Sequence, residues 1–236
     1  ISLPGKQDRR PGYEERTRPD AQKRLSLAAR PLSVSEPSRR TGPIIARHQS
    51  NLLAGMFRSL DPEKRLIVLE VGPALPETVE FFSQYRCRLH FVDLYEESFL
   101  RNRDSDVPEK ELRHHFEKAL TFPEGTLLDI CLFGDFLSFL DDRALRAFNS
   151  ALRPWIHPGT RAHGFGVHHL AVKLEHHQYG IIDKDTLSIR SRHSGNMPYH
   201  PHSQVEMADM LNSFAFARGL LLPSGKLEMM LKPKAA

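Results

Sequence analysis

At 236 residues, with 40% hydrophobic and 26% charged side chains, the chain suits one domain of ordinary size plus an appendage, which excludes a fibrous or low-complexity protein. No apolar run approaches the roughly 20 residues needed to span a membrane, and no signal-peptide core is legible near the start, so a cytoplasmic protein with no membrane partner is expected. The formal charge of +4 is unevenly held: residues 1–43 carry ten Lys or Arg against five Asp or Glu, and the remainder carries 23 against 24.

Residues 1–43 have no sustained hydrophobic period and are crowded with Pro, Arg and Ser, as in Arg9-Arg10-Pro11-Gly12 and Ser35-Glu36-Pro37-Ser38-Arg39-Arg40. Such a segment buries too little apolar surface to offset the entropy of ordering, so it is predicted to be a flexible basic tail. Its functional reading is electrostatic contact with nucleic acid or an acidic protein partner. Glu14, Glu15 and Asp20 interrupt the charge and argue against a transit peptide.

Residues 44–236 are predicted to form one α/β domain. Ile45, Leu52, Leu53, Met56, Phe57 and Leu60 fall on one stripe of a helix that Asp61-Pro62 would end. The continuous apolar run over 66–71 is predicted to be a strand buried on both faces. A helix over 77–84 follows, with Pro76 suited to its first turn and Glu77 to its positive end. A second strand is expected over 87–94, then a polar, mostly helical stretch to about 120 with a loop near 104–108. A further strand over 127–133, a helix over about 141–152 and a strand over 161–167 continue the alternation.

The C-terminal part differs. Residues 203–213 read as a helix capped by Ser203, and two apolar runs flanking Pro223-Ser224-Gly225 read as a hairpin. The predicted class is therefore α/β: a Rossmann-like, mostly parallel sheet with helices on both faces and a C-terminal antiparallel hairpin strand. Cys87 and Cys131 both sit in strand-like apolar runs and are expected to be buried, reduced thiols.

The βαβ start, an acidic residue closing the second strand and the terminal helix-plus-hairpin together resemble the class I S-adenosylmethionine (SAM) methyltransferase family, with a degenerate cofactor loop. In that family an acidic-x-Gly-x-Gly loop after the first strand holds the methionine end of SAM. The matching stretch here is Glu70-Val71-Gly72-Pro73-Ala74-Leu75-Pro76. Ala74 stands where a second glycine is usual, and Pro76 where a third often occurs. The resemblance implies SAM as cofactor and assigns Asp93 to the ribose hydroxyls. It also implies that Phe133, Gly134 and Asp135 line the adenine and the methyl-transfer face, with Asp135 orienting the acceptor or an amine. Glu117 is the candidate for the adenine-binding acidic position, although no strand is legible just before it.

Methyl transfer needs in-line alignment and sometimes a base, because the sulfonium is already activated. His168 and His202 are the candidate bases. Eight of the thirteen histidines lie between 163 and 202, and the pairs at 168–169 and 176–177 suggest imidazoles on neighbouring turns of a helix. Neither a His-Glu-x-x-His pattern nor a cysteine pair accompanies them, so no metal is expected. The missing glycines disfavour a dinucleotide-linked dehydrogenase, and no Gly-x-Ser-x-Gly elbow supports a hydrolase. Two functions follow: a SAM-dependent methyltransferase acting on an unidentified acceptor, or a catalytically inactive methyltransferase-like binding or assembly module.

Overall fold

The computed structural model describes residues 1–2, 41–58, 60–61, 63–101, 106–167, 175–192 and 197–234. The predicted flexible tail, 1–43, lies almost wholly outside the described residues. The chain divides between Ser38 and Arg39, and all that follows concerns the second unit.

Its main sheet has six strands. The strands β2 (Leu66–Val71), β3 (Cys87–Val92), β4 (Leu128–Gly134) and β5 (Ile156–Val167) pair in parallel in the order β3-β2-β4-β5. The sheet ends with β9 (Lys226–Pro233), antiparallel to β5, and β8 (Phe214–Leu221), antiparallel to β9. Gly225, at φ 80°, lies in the Pro223-Ser224-Gly225 turn between the last two. The strand β2 is apolar at nearly every position because alternate residues feed opposite cores. Leu66 and Val68 join one cluster, while Leu69 and Val71 join the other.

The first cluster is covered by α1 (Asn51–Arg58) and α2 (Pro76–Phe82), through Leu53, Met56, Phe57, Phe81 and Phe82. On the opposite face lie α4 (Glu109–Ala119), α5 (Asp142–Leu152) and α6 (Gln204–Met210), which follow the short α3 (Ser98–Arg101). Ser203 caps α6 as expected: its hydroxyl accepts from Glu206 N at 3.2 Å, and Glu206 Oε2 accepts from Ser203 N at 2.7 Å. Among the described residues no strand lies between β3 and β4, so β3 forms the sheet edge.

Two expectations are corrected. The helix drawn from Ile45 begins only at Asn51, where the Ser50 hydroxyl accepts from Leu53 N at 2.8 Å. Residues Thr41–Gln49 instead form strand β1. Adjacent β-branched Ile44 and Ile45 favour extended backbone, and both stay exposed, so neither belonged to the buried helical stripe. The histidine-rich helix is also absent where it can be seen. His177 opens strand β6 (His177–Asp183), which turns at Lys184-Asp185 into β7 (Thr186–Arg192). The order β1-β7-β6 makes a second, antiparallel sheet. It packs Ile181 and Leu187 onto Leu132 and Phe165 of the main sheet.

Candidate functional site

Parallel α/β sheets present ligands at the C-terminal ends of their strands, where loops diverge. At that end β2 leads through Glu70 to Gly72, and β4 leads through Gly134 to Asp135. Gly134 has φ +54°, and a β-carbon there would stand 3.2 Å from Cδ2 of Tyr179. Only glycine meets both demands. Gly72 donates its N–H to the Val92 carbonyl at 2.9 Å, which sets Asp93 immediately beside the loop.

Three carboxylates converge here. Glu70 is buried, and burial pushes its carboxyl up to about 8, with a Thr78 hydrogen bond opposing the shift and the Glu77 charge adding to it. Asp135 is raised by burial, with the Tyr95 hydroxyl opposing by donating to Oδ1 at 2.7 Å. Asp93 is also raised by burial, against the opposing charge of Arg192. Among the described residues, Glu70 Oε2, Asp135 Oδ2 and Gln178 Oε1 are buried without a hydrogen-bond partner. Unsatisfied buried polar atoms are costly, and where they and shifted carboxylates cluster at one cleft they mark a site built for a ligand.

The second sheet fills that cleft. Arg192, the last residue of β7, lays its guanidinium 3.6 Å from the centre of the Tyr95 ring. Its Nη1 donates to Asp93 Oδ1 at 3.3 Å and its Nε to the His177 carbonyl at 3.4 Å. Tyr179 covers Gly134, stacks on Phe165 at 4.7 Å and receives the Lys226 ammonium at 3.1 Å. The same ammonium lies 3.2 Å from His177 Nδ1. Burial and the Asp135 charge raise the Tyr179 hydroxyl well above its ordinary value, and burial lowers Lys226 and His177.

Two clamps hold the sheet in place. Glu77, in the first turn of α2, takes Arg190 Nε at 2.8 Å and Nη2 at 2.9 Å, and also accepts from the Ser188 hydroxyl. Burial alone would raise Glu77, but these bonds hold it below its ordinary value. Thr78 accepts from Ile181 N at 3.0 Å.

What remains open between Glu70, Gly72, Tyr95, Gly134, Tyr179 and Arg192 is a cavity of about 20 Å³, room for about one water. Small-molecule sites run to roughly 300–1,000 Å³. The polar groups fit a nucleoside cofactor, but the open space, with Arg192 and Tyr179 in its wall, is far smaller than such a ligand. A separate cavity of about 360 Å³ shares His177 and Tyr179 and is walled by Phe165, Ile189, Leu222 and Lys226.

The remaining sequence candidates lie apart from the cleft. Ala74 is exposed on the loop. Phe133 points into the core against Phe148 and Phe214. Glu117 is exposed on α4 and pairs with Arg113 at 2.7 Å. His202 is buried with Nε2 on the Leu140 carbonyl at 2.7 Å, and His168 lies outside the described residues. Tyr95, Tyr179, Arg192 and Lys226 were not foreseen. The histidine-rich stretch drew attention to the right segment, but an arginine closing a polar strand carries no signal of its own. Among the described residues no group of side chains forms a metal site.

No family model matches the chain, and no curated protein matches it. Solved structures similar to it include the Burkholderia thailandensis 1,6-didemethyltoxoflavin-N1-methyltransferase with bound 1,6-didemethyltoxoflavin and S-adenosylhomocysteine, at 14% identity and TM-score 0.46 over 78% of each chain. The pyocyanin biosynthetic protein PhzM gives 14% and 0.42 over 77% of this chain and 54% of that one. A TehB-like SAM-dependent methyltransferase from Corynebacterium glutamicum gives 8% and 0.42 over 77% and 87%. The strand order, the helices on both faces and the antiparallel C-terminal pair give the chain the mostly parallel α/β fold expected from the sequence.

Proposed function

We propose that the protein is a SAM-dependent methyltransferase-like protein whose cofactor cleft lies at the C-terminal ends of β2 and β4. One observation carries the reading: Glu70, Tyr95 and Arg192 wall one small cavity, where Arg192 meets Asp93 and Tyr95 meets Asp135, and Glu70 and Asp135 each keep a buried oxygen without a partner among the described residues. Such a cleft is shaped for a ligand that is cationic and rich in donors, as SAM is through its sulfonium, ammonium and ribose hydroxyls. SAM supplies the activated methyl group when bound. Asp93 would accept from the ribose hydroxyls, and Glu70 and Gly72 would face the methionine end. Asp135 would orient the acceptor, for which the cavity beside Tyr179 offers room. His177, which lines both cavities, is better placed than His202 to receive a proton.

Calorimetric titration with SAM and with S-adenosylhomocysteine tests the reading. Saturable binding that Asp93→Ala removes supports it, and absence of binding at millimolar ligand in every folded variant overturns it. That absence would favour the second reading, an inactive binding or assembly module, which draws its support from the filled cleft and from Ala74. The basic residues of 1–43 would serve either form as a contact for nucleic acid or an acidic protein. Two free cysteines suit a reducing compartment such as the cytoplasm, and among the described residues no helix is long and apolar enough to cross a membrane.

A further inference from the structure

Arg192 is 8% exposed, and a buried guanidinium persists only where it is paired. Each partner named for its side chain borders the cofactor cleft or belongs to the hairpin: Asp93, the Tyr95 ring and the His177 carbonyl. A β-carbon on Gly72, in the loop that would meet the methionine end, would stand 3.8 Å from Arg192 Nη2. The side chain therefore holds the ground that the cofactor needs, on the carboxylate that the cofactor needs.

Its bonds are also long. Charge-assisted pairs usually close to about 2.7–2.9 Å, whereas Arg192 meets Asp93 at 3.3 Å and the His177 carbonyl at 3.4 Å. By contrast, the neighbouring Arg190 grips Glu77 at 2.8 and 2.9 Å. The hairpin thus has a firm anchor, Arg190, and a looser contact at its open end, Arg192. Glu77 and Thr78, which hold it, directly follow the loop that a cofactor would occupy, so hairpin and ligand act on one segment.

We infer that the β6–β7 hairpin is an autoinhibitory latch: Arg192 sits in the cleft as an internal cation in place of the cofactor and must leave before SAM can enter. The inference rests on the SAM reading above. Ligand binding then draws on the fraction of molecules with the latch open, and weakening the latch raises apparent affinity by enlarging that fraction. A merely structural Arg192 would have the opposite effect, since its loss would loosen the site and weaken binding.

The test uses the full chain, titrated calorimetrically with S-adenosylhomocysteine and with SAM. R192A should bind about tenfold or more tighter than wild type, with R192K between them, as expected for an open fraction of about one in ten or less. Hydrogen exchange supplies a second readout that survives a poorly folding R192A: saturating ligand should speed exchange across residues 177–192 of the wild-type protein. Binding that R192A leaves unchanged or weakens, or exchange that slows across the hairpin on ligand binding, overturns the latch and leaves the SAM reading intact. If wild type, R192A and R192K all fold yet bind neither ligand at millimolar concentration, the SAM reading itself fails and the latch with it.

Discussion

His163 Nε2 lies 2.8 Å from Oε1 of Glu228, with both side chains sealed from solvent. The same carboxylate takes the Ser50 hydroxyl and lies 3.1 Å from His48 Nε2. One acid on β9 therefore ties β5, the cap of α1 and the strand β1 into a single network, joining the second sheet to the first. Removing the acid leaves the buried groups of His163 and Ser50 without their partner, at about 1–3 kcal/mol for each unsatisfied group, so Glu228→Ala should be among the most destabilising single changes. Burial works against the ionised acid, but its three hydrogen bonds hold Glu228 at about 2, below its ordinary 4.5. Its contribution is therefore complete above about pH 4.5 and is lost as the pH falls toward 2. Urea unfolding at stepped pH should show a loss of stability across that window, and the loss should flatten in Glu228→Gln.

Glu70 has the opposite sign. Burial lifts its carboxyl to about 8, so the folded state keeps a proton that the unfolded chain releases near 4.5. Stability then falls as the pH rises from about 4.5 to about 8. Glu70→Gln should remove that slope and stabilise the fold at pH 8 by on the order of 3 kcal/mol or more. Unfolding at pH 5 and pH 8 checks this, and equal pH dependence in the two proteins would contradict it.

The Glu77–Arg190 clamp should be measurable as a coupling. Two short bonds at a site 15% exposed on the arginine side and 12% on the acid side belong to the stronger class of charged hydrogen bonds. A double-mutant cycle with Glu77→Gln and Arg190→Met should return about 1–3 kcal/mol. A value near zero would mean that the ion pair adds nothing to the apolar packing of Ile181 and Leu187 and the Thr78 and His48 contacts that also hold the second sheet.

Truncation separates the basic segment from the fold. Deleting residues 1–40 should leave the melting temperature within a few degrees, whereas deleting through Gln49 removes β1 and the His48 contact to Glu228 and should lower it substantially. If the basic residues bind nucleic acid, affinity should fall steeply with added salt, and salt-insensitive binding would rule that contact out.

The main sheet was largely legible in the sequence because its central strands are buried on both faces and read as nearly continuous apolar runs, Leu66–Val71 and Leu128–Gly134, broken only by Glu70 and Asp129. The terminal hairpin was legible through its Pro223-Ser224-Gly225 turn. The β1-β7-β6 sheet was not. Its strands are half-exposed, and β1 pairs with β7 from the far end of the domain, Thr41 opposite Arg192, which no local pattern reports. For the site, the apolar pattern set Asp93, Glu70 and Gly72 at the strand ends, and the family resemblance implied their roles. Arg192 and Tyr179 reach the cleft only through that long-range pairing, and so the closed state of the cleft could not be read beforehand.

The most direct test of the account is a crystal structure grown with millimolar S-adenosylhomocysteine. Density for the nucleoside is expected between Gly72 and Asp93, with its ribose hydroxyls on the Asp93 carboxylate and Arg192 swung clear of Tyr95. Arg192 still seated on Asp93 and Tyr95, with no ligand density at the ends of β2 and β4, would contradict it.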